Sequence, residues 1–133
     1  MVGHLNSKYS LAIRERFLAT KTVADVTALM QEFTDAVAAG KHEEQGWPSA
    51  AYAVSKSGIT GLTRAIALSH QQEHPGSNIL INSCCPGFVT TDMTKGRGAK
   101  SPDQGAQTPV LLAVGDIKGQ TGLFWQHEKP IEW

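Results

Sequence analysis

Tyr52 and Lys56 stand four residues apart in Ala51-Tyr52-Ala53-Val54-Ser55-Lys56, a spacing that puts a phenol and an ammonium on one face of a helix, one turn from each other. A phenol ordinarily titrates near about pH 10 and is a poor acid at neutrality, but a cation beside it favours the phenolate and brings such a pair toward the range of a general acid. Spacing alone also fits two surface residues sharing a helix face. The stretch Asn82-Ser83-Cys84-Cys85-Pro86-Gly87-Phe88-Val89-Thr90-Thr91-Asp92 shifts the balance, because an apolar strand that runs into Pro-Gly ends where open α/β sheets bind their ligands.

These residues need a helix and a strand to hold them. Ser49 to about Ser69 reads as the helix, with Ile59, Leu62, Ala65 and Ile66 as its buried stripe. Gly58 and Gly61 each cost about 1 kcal/mol in a helix interior, a cost that close approach to a sheet or a ligand would offset. Ile79–Cys84 reads as a buried parallel strand. Upstream, Leu11–Leu18 forms a short helix after a polar stretch to Ser10. A second helix starts at Thr22, which is capped by Asp25, and carries Val23, Val26, Met30, Phe33 and Val37 at helical spacing until Gly40. Downstream, Thr94–Lys100 reads as a mobile surface lid, since its glycines and lysines lack the spacing of a phosphate loop. Ser101 caps a helix with Pro102 at its first position, running to about Ala113 with a kink at Pro109. Gly122–Trp125 is the last strand, followed by an exposed tail.

Three stretches together resemble the short-chain dehydrogenase/reductase family, in particular its monomeric NADPH-dependent carbonyl reductases. They are Glu44-Gln45-Gly46-Trp47-Pro48-Ser49-Ala50-Ala51-Tyr52, Cys84 through Met93, and Lys100-Ser101-Pro102-Asp103-Gln104-Gly105-Ala106-Gln107-Thr108-Pro109-Val110. The resemblance covers the family's second half. It implies the carboxyl-terminal part of a Rossmann-type, doubly wound parallel α/β sheet over residues 1–133, with residues 1–48 an inserted helical segment that keeps the whole protein monomeric. Residues 49–133 then supply the catalytic helix, the cofactor-side strand and loop, and the last helix and strand. The glycine-rich turn for the pyrophosphate and the family's catalytic Ser have no counterpart, so the chain alone is expected to be inactive and not to bind NADPH.

By the same resemblance Tyr52 donates a proton as hydride arrives from NADPH, and Lys56 tunes Tyr52 and holds the ribose. Pro86, Gly87, Val89 and Thr91 flank the nicotinamide, while Cys85, Phe88 and Trp47 line the substrate pocket. The reaction implied is reduction of ketones, aldehydes or quinones to alcohols. An alcohol dehydrogenase would use the same residues, and a non-catalytic relic or binding subunit would keep the fold without the chemistry. An incomplete sequence starting at an internal Met is a further reading.

Composition excludes other classes. Of the 133 residues, 41% are apolar and 18% charged, and 12 basic residues balance 12 acidic ones, so nothing draws the chain to nucleic acid or an anionic membrane. No run approaches a membrane span, and Met1–Lys8 lacks the order of a signal peptide, which makes the cytoplasm the expected compartment. The adjacent Cys84 and Cys85 suit free thiols rather than a disulfide, and alternation along a strand would let only one of them face the cleft. The five histidines show no metal-ligand spacing with thiols, so no metal site is expected.

Overall fold

Helix signals in the amino-terminal third are strong, and a computed structural model, which describes residues 3–6 and 8–133, forms helices where they occur. Met1, Val2 and Ser7 of the opening stretch lie outside the described residues. Ser10 caps α1 (Leu11–Ala19) by accepting from the Ile13 N–H. Thr22 and Asp25 exchange both bonds of a capping box at the start of α2 (Val23–Ala38). The 23-residue α3 (Ala51–Glu73) carries the Tyr-Lys pair. After β1 (Ser83–Cys84), Ser101 and Gln104 form a second capping box on α4 (Pro102–Val114), which continues past Pro109. Strands β2 (Phe124–Gln126) and β3 (Lys129–Ile131) complete the chain.

The result is a mixed α/β fold around a small three-stranded sheet of order β1-β2-β3. Only β1 and β2 are parallel; β3 pairs antiparallel with β2. The tail is exposed over His127–Pro130 and at Glu132, as expected, but it is folded back as a strand. His127 and Glu128, both at positive φ (52° and 58°), form the two-residue turn, a geometry matched to strand twist. Thr108 holds that turn by accepting from the Glu128 N–H at 3.2 Å.

The strand expected over Ile79–Cys84 is only Ser83–Cys84. Gly122 sits at φ +74°, so the partner chain bends away just ahead of Leu123 and regular pairing begins after it. The Ile81 carbonyl accepts from the Gly122 N–H at 2.7 Å, but the Ile81 N–H donates to the Thr121 side chain at 2.8 Å, which leaves a gap in the ladder, and Ile79 is 62% exposed. Asn82 carries the register across this gap: its Oδ1 accepts from Leu123 N and its Nδ2 donates to Gln120 O.

The main hydrophobic cluster lies among the amino-terminal helices, where Leu5, Tyr9, Ile13, Phe17, Leu29, Phe33, Trp47 and Val54 pack together. Phe17, fully buried, meets Tyr9, Trp47 and Trp133 edge-on with ring centroids 5.6–6.0 Å apart. Tyr9 ends on Ser57 Oγ at 2.8 Å, and burial raises its phenol pKa. Arg16 of α1 grips Glu32 of α2 with two bonds of 2.6 and 2.5 Å.

Helix α3 buries only part of the stripe read from the sequence, Ala65 fully and Leu62 in part. Ile59 and Ile66 are about half exposed, while Val54, Ser57, Gly58, Gly61 and Ala65 are buried. Small side chains let α3 approach α2 more closely than isoleucines would, so the large residues turn outward. A Cβ on Gly58 would lie 2.6 Å from Met30 Sδ, and one on Gly61 would lie 3.3 Å from Val26 Cγ2. The glycines thus serve contact with α2, where a sheet or ligand was expected.

Phe17→Ala should cost about 3–5 kcal/mol, read in urea denaturation as a lower midpoint. The Glu32 carboxyl is held below its usual range by Arg16, so its contribution is present above the unfolded value of about 4.3 and is lost as pH falls through the lower folded value. Both side chains are more than a third exposed, which limits the effect to under about 1 kcal/mol. Glu32→Gln should remove that slope from melts between neutral and acid pH while leaving the rest of the acid response.

Candidate active site

The buried small-residue face of α3 leaves Tyr52, Lys56 and Thr60, each one turn from the next, pointing to the helix's other side. The Lys56 ammonium lies 5.5 Å from the Tyr52 ring centroid, within reach of a cation–π contact. Tyr52 is 63% exposed, so its phenol is open to a ligand. Across from it, β1 ends and the chain turns through Cys85-Pro86-Gly87, with Gly87 at φ +88°. Between these walls opens a cleft of about 900 Å³.

Tyr52, Lys56, Cys85, Pro86, Gly87, Phe88, Val89 and Thr91 all line this cleft. Trp47 does not. It is 2% exposed and packs on Phe17 and Phe33, because an apolar ring beside the aromatic cluster is more stable there than at a wet rim. Cys84 lines the cleft as well as Cys85, contrary to the expectation of one: β1 ends at Cys84, so strand alternation no longer governs its neighbour. Both thiols are free, and burial, reinforced by Cys85, pushes the Cys84 thiol up. Among the described residues no group of three or more His, Cys, Asp or Glu side chains could hold a metal ion. Nor is any helix there long and apolar enough to cross a membrane.

The segment read as a lid is stitched to the cleft wall. Val89 bridges Lys100 in parallel, through Thr90 N to Lys100 O at 2.8 Å and Lys100 N to Phe88 O at 3.1 Å. Thr90 Oγ1 donates to Gly98 O, and Thr94 Oγ1 donates to Val89 O, both at 2.8 Å. A side chain on Gly98 would run into the Val89–Thr90 backbone, and a Cβ on Gly105 would lie 2.5 Å from Val89 Cγ2. Of the two glycines that suggested mobility, Gly98 is instead where the chain presses against the loop, while Gly96 has open space around it.

Several cleft residues escaped the sequence reading. Thr60 continues the four-residue series from Tyr52 and Lys56, so helical spacing could have found it. Phe124 and Gly3, which also line the cleft, reach it through pairing and long-range contacts that leave no local pattern. Met93, 89% exposed, stands at the rim with Phe88.

A helix bearing a Tyr-Lys pair across from a strand that ends in Pro-Gly defines a short-chain dehydrogenase, and the family profile described as short chain dehydrogenase matches residues 33–102, just over half the chain. The chain belongs to that family. Among relatives, it is 40% identical to carbonyl reductase (NADPH) 1 of Mus musculus over 126 residues, covering 92% of this chain and 46% of the relative. It is 43% identical to carbonyl reductase (NADPH) 3 of Rattus norvegicus over 103 residues, covering 77% and 37%. The fold matches salutaridine reductase from Papaver somniferum with a TM-score of 0.78 at 26% identity, over 93% of this chain and 42% of that one. The chain therefore spans less than half the length of these relatives.

Gly98→Ala should break the Val89–Lys100 bridge, because its obstacle is backbone that cannot rotate aside. Gly96→Ala, with open space but φ +72°, should cost only about 1–2 kcal/mol. Hydrogen exchange at the Thr90 amide separates them: protection should be lost in the first variant and kept in the second.

Proposed function

We propose that this chain is the catalytic half of an NADPH-dependent carbonyl reductase that acts on ketones, aldehydes or quinones. Its complete architecture would be a doubly wound Rossmann-type parallel sheet, working as a cytoplasmic monomer. The reading is carried by one observation: Tyr52 and Lys56 share a cleft with the Pro86–Thr91 loop. Identity of about 40% to a carbonyl reductase named for NADPH supports it.

The residues present suit the nicotinamide end of such a cofactor. The bridge to Lys100 uses the backbone of Phe88 and Thr90, which leaves the Val89 N–H free of that bridge; it and the Thr91 hydroxyl would hold the carboxamide. Lys56, one turn below Tyr52, would bind the ribose hydroxyls. Bound NADPH would supply the hydride. Tyr52 would hold the proton at Oη and pass it to the carbonyl oxygen, a role its exposure permits. Phe88 and Cys85 would form apolar walls for the substrate. Run backward, the same groups would oxidise an alcohol.

A second reading, a binding subunit, is favoured by the outward face of α3. Ile59 and Ile66 lie about half exposed there, and Ile79 and Leu80 are exposed beside β1, which has no second partner within the described sheet. An apolar helix face next to a free strand edge is a surface that takes another chain.

Two experiments test these readings. Joined behind the amino-terminal half of a carbonyl reductase, the chain should reduce an aromatic aldehyde with NADPH. Tyr52→Phe should then lower turnover at least about a hundredfold while NADPH binding, followed by fluorescence, persists. Near-normal turnover in that variant would falsify the assignment. The 133-residue chain alone should elute in light-scattering chromatography above its 14.3 kDa monomer mass, whereas a monodisperse monomer would show that α3's outward face needs no cover.

A further inference from the structure

Gly3 and Trp133, far apart in sequence, meet at the cleft wall. Trp133, the last residue, donates its indole N–H to Gly3 O at 2.9 Å. Thr60 Oγ1 donates to the same oxygen at 3.2 Å. Gly3 rests on α3 directly beside the Tyr-Lys pair: a Cβ there would lie 3.2 Å from both Lys56 O and Thr60 Oγ1, and Gly3 itself lines the cleft.

Trp133 is held by more than that bond. Its ring meets Phe17 edge-on at 5.6 Å, the Arg64 guanidinium lies 5.0 Å from its centroid, and a Cβ on Gly61 would come within 3.1 Å of Cη2. One ring thus touches the aromatic cluster, a cation on α3 and the α3 glycine face, while its only N–H is spent on the turn at the cleft.

We propose that Trp133 is a positioning residue for the cleft: it clasps Gly3 against the Lys56 turn of α3, so its side chain sets the wall beside Tyr52 and Lys56. The value of this wall for a carbonyl ligand rests on the reading of the cleft given above; the clasp itself does not. Trp133→Phe keeps a ring on Phe17 and beneath Arg64 but cannot donate to Gly3 O. Gly61→Ala keeps the donor and displaces the ring by a few tenths of an ångström.

The test is nuclear magnetic resonance of the 133-residue chain, with benzophenone as the probe ligand. In Trp133→Phe the Gly3, Lys56 and Thr60 backbone resonances should move and the Gly3 amide should lose exchange protection, while Tyr9 and Phe33 in the cluster stay in place. Gly61→Ala should move the same resonances by less. If benzophenone shifts Tyr52 and Thr91 in the wild type, its Kd should weaken about threefold or more in Trp133→Phe, the loss expected for one hydrogen bond. Unchanged Gly3 and Lys56 resonances in both variants overturn the clasp, as does a general shift that includes the cluster. A clasp that behaves as stated in a chain that ignores benzophenone upholds the positioning role and counts against the carbonyl cleft instead. Should Trp133→Phe fail to fold, Gly61→Ala and a Thr60→Val variant, which removes the second donor, decide the matter by the same resonances.

Discussion

The contact between α2 and the small-residue face of α3 is the constraint on which the other features rest. Gly58 admits Met30, where a Cβ would lie at 2.6 Å and force the contact apart, and Gly61 admits Val26 and Trp133, where a Cβ would fit only tightly at 3.1–3.4 Å. Close approach fixes the rotation of α3 about its own axis. That rotation places Ser57 on Tyr9 and Val54 in the aromatic cluster, and by the 3.6-residue repeat it must place Tyr52, Lys56 and Thr60 on the opposite side. The direction of the site is thus decided by residues that never touch it. The roughly 1 kcal/mol that each glycine costs in helix propensity is offset by dispersion contacts with sulfur and methyl groups at van der Waals range.

The second wall is built on different physics. It has little apolar core beneath it, with Ile117, Phe124 and Trp125 buried on that side together with Gly105 and Thr108, and its shape comes from hydrogen bonds. Asn82 adds side-chain bonds between two segments whose backbone pairing is sparse, Thr94 and Thr90 tie the loop across itself, and Thr108 holds the hairpin turn. Such bonds each stabilise modestly but define direction sharply. A cleft with one packed wall and one hydrogen-bonded wall can keep Tyr52 and Lys56 rigid while the facing loop adapts.

Much of the helical architecture was legible. Ser10, the Thr22–Asp25 pair and the Ser101-Pro102 start are local devices, and local devices can be read from neighbours in sequence. The cleft's main residues were legible because they sit in two continuous stretches. What failed depended on distance along the chain. The stripe through Ile59 and Ile66 was misread because hydropathy favours isoleucine for burial, whereas the helix buries glycine and alanine to gain proximity. The turn at His127-Glu128 carries no Asn-Gly signal, so β3 was missed. Trp47 belongs to a motif next to Tyr52, yet its environment is set by Phe17 and Phe33 from other helices. Trp133 lies 130 positions from its acceptor, beyond any pattern of spacing.

The division between an aromatic cluster at one end and a hydrogen-bonded sheet at the other bears on how the molecule breathes. The amino-terminal helices bury large rings against one another, while β1 and β2 share a short ladder. Opening free energies differ across a structure in this way, and weakly buried elements separate first as cooperative units. The loop and hairpin side therefore reaches partly open states that leave α1, α2 and the inner face of α3 closed. Excursions of that kind would enlarge the mouth of the cleft from one side only, admitting bulky molecules past Phe88 and Met93 without disturbing the helix that presents Tyr52.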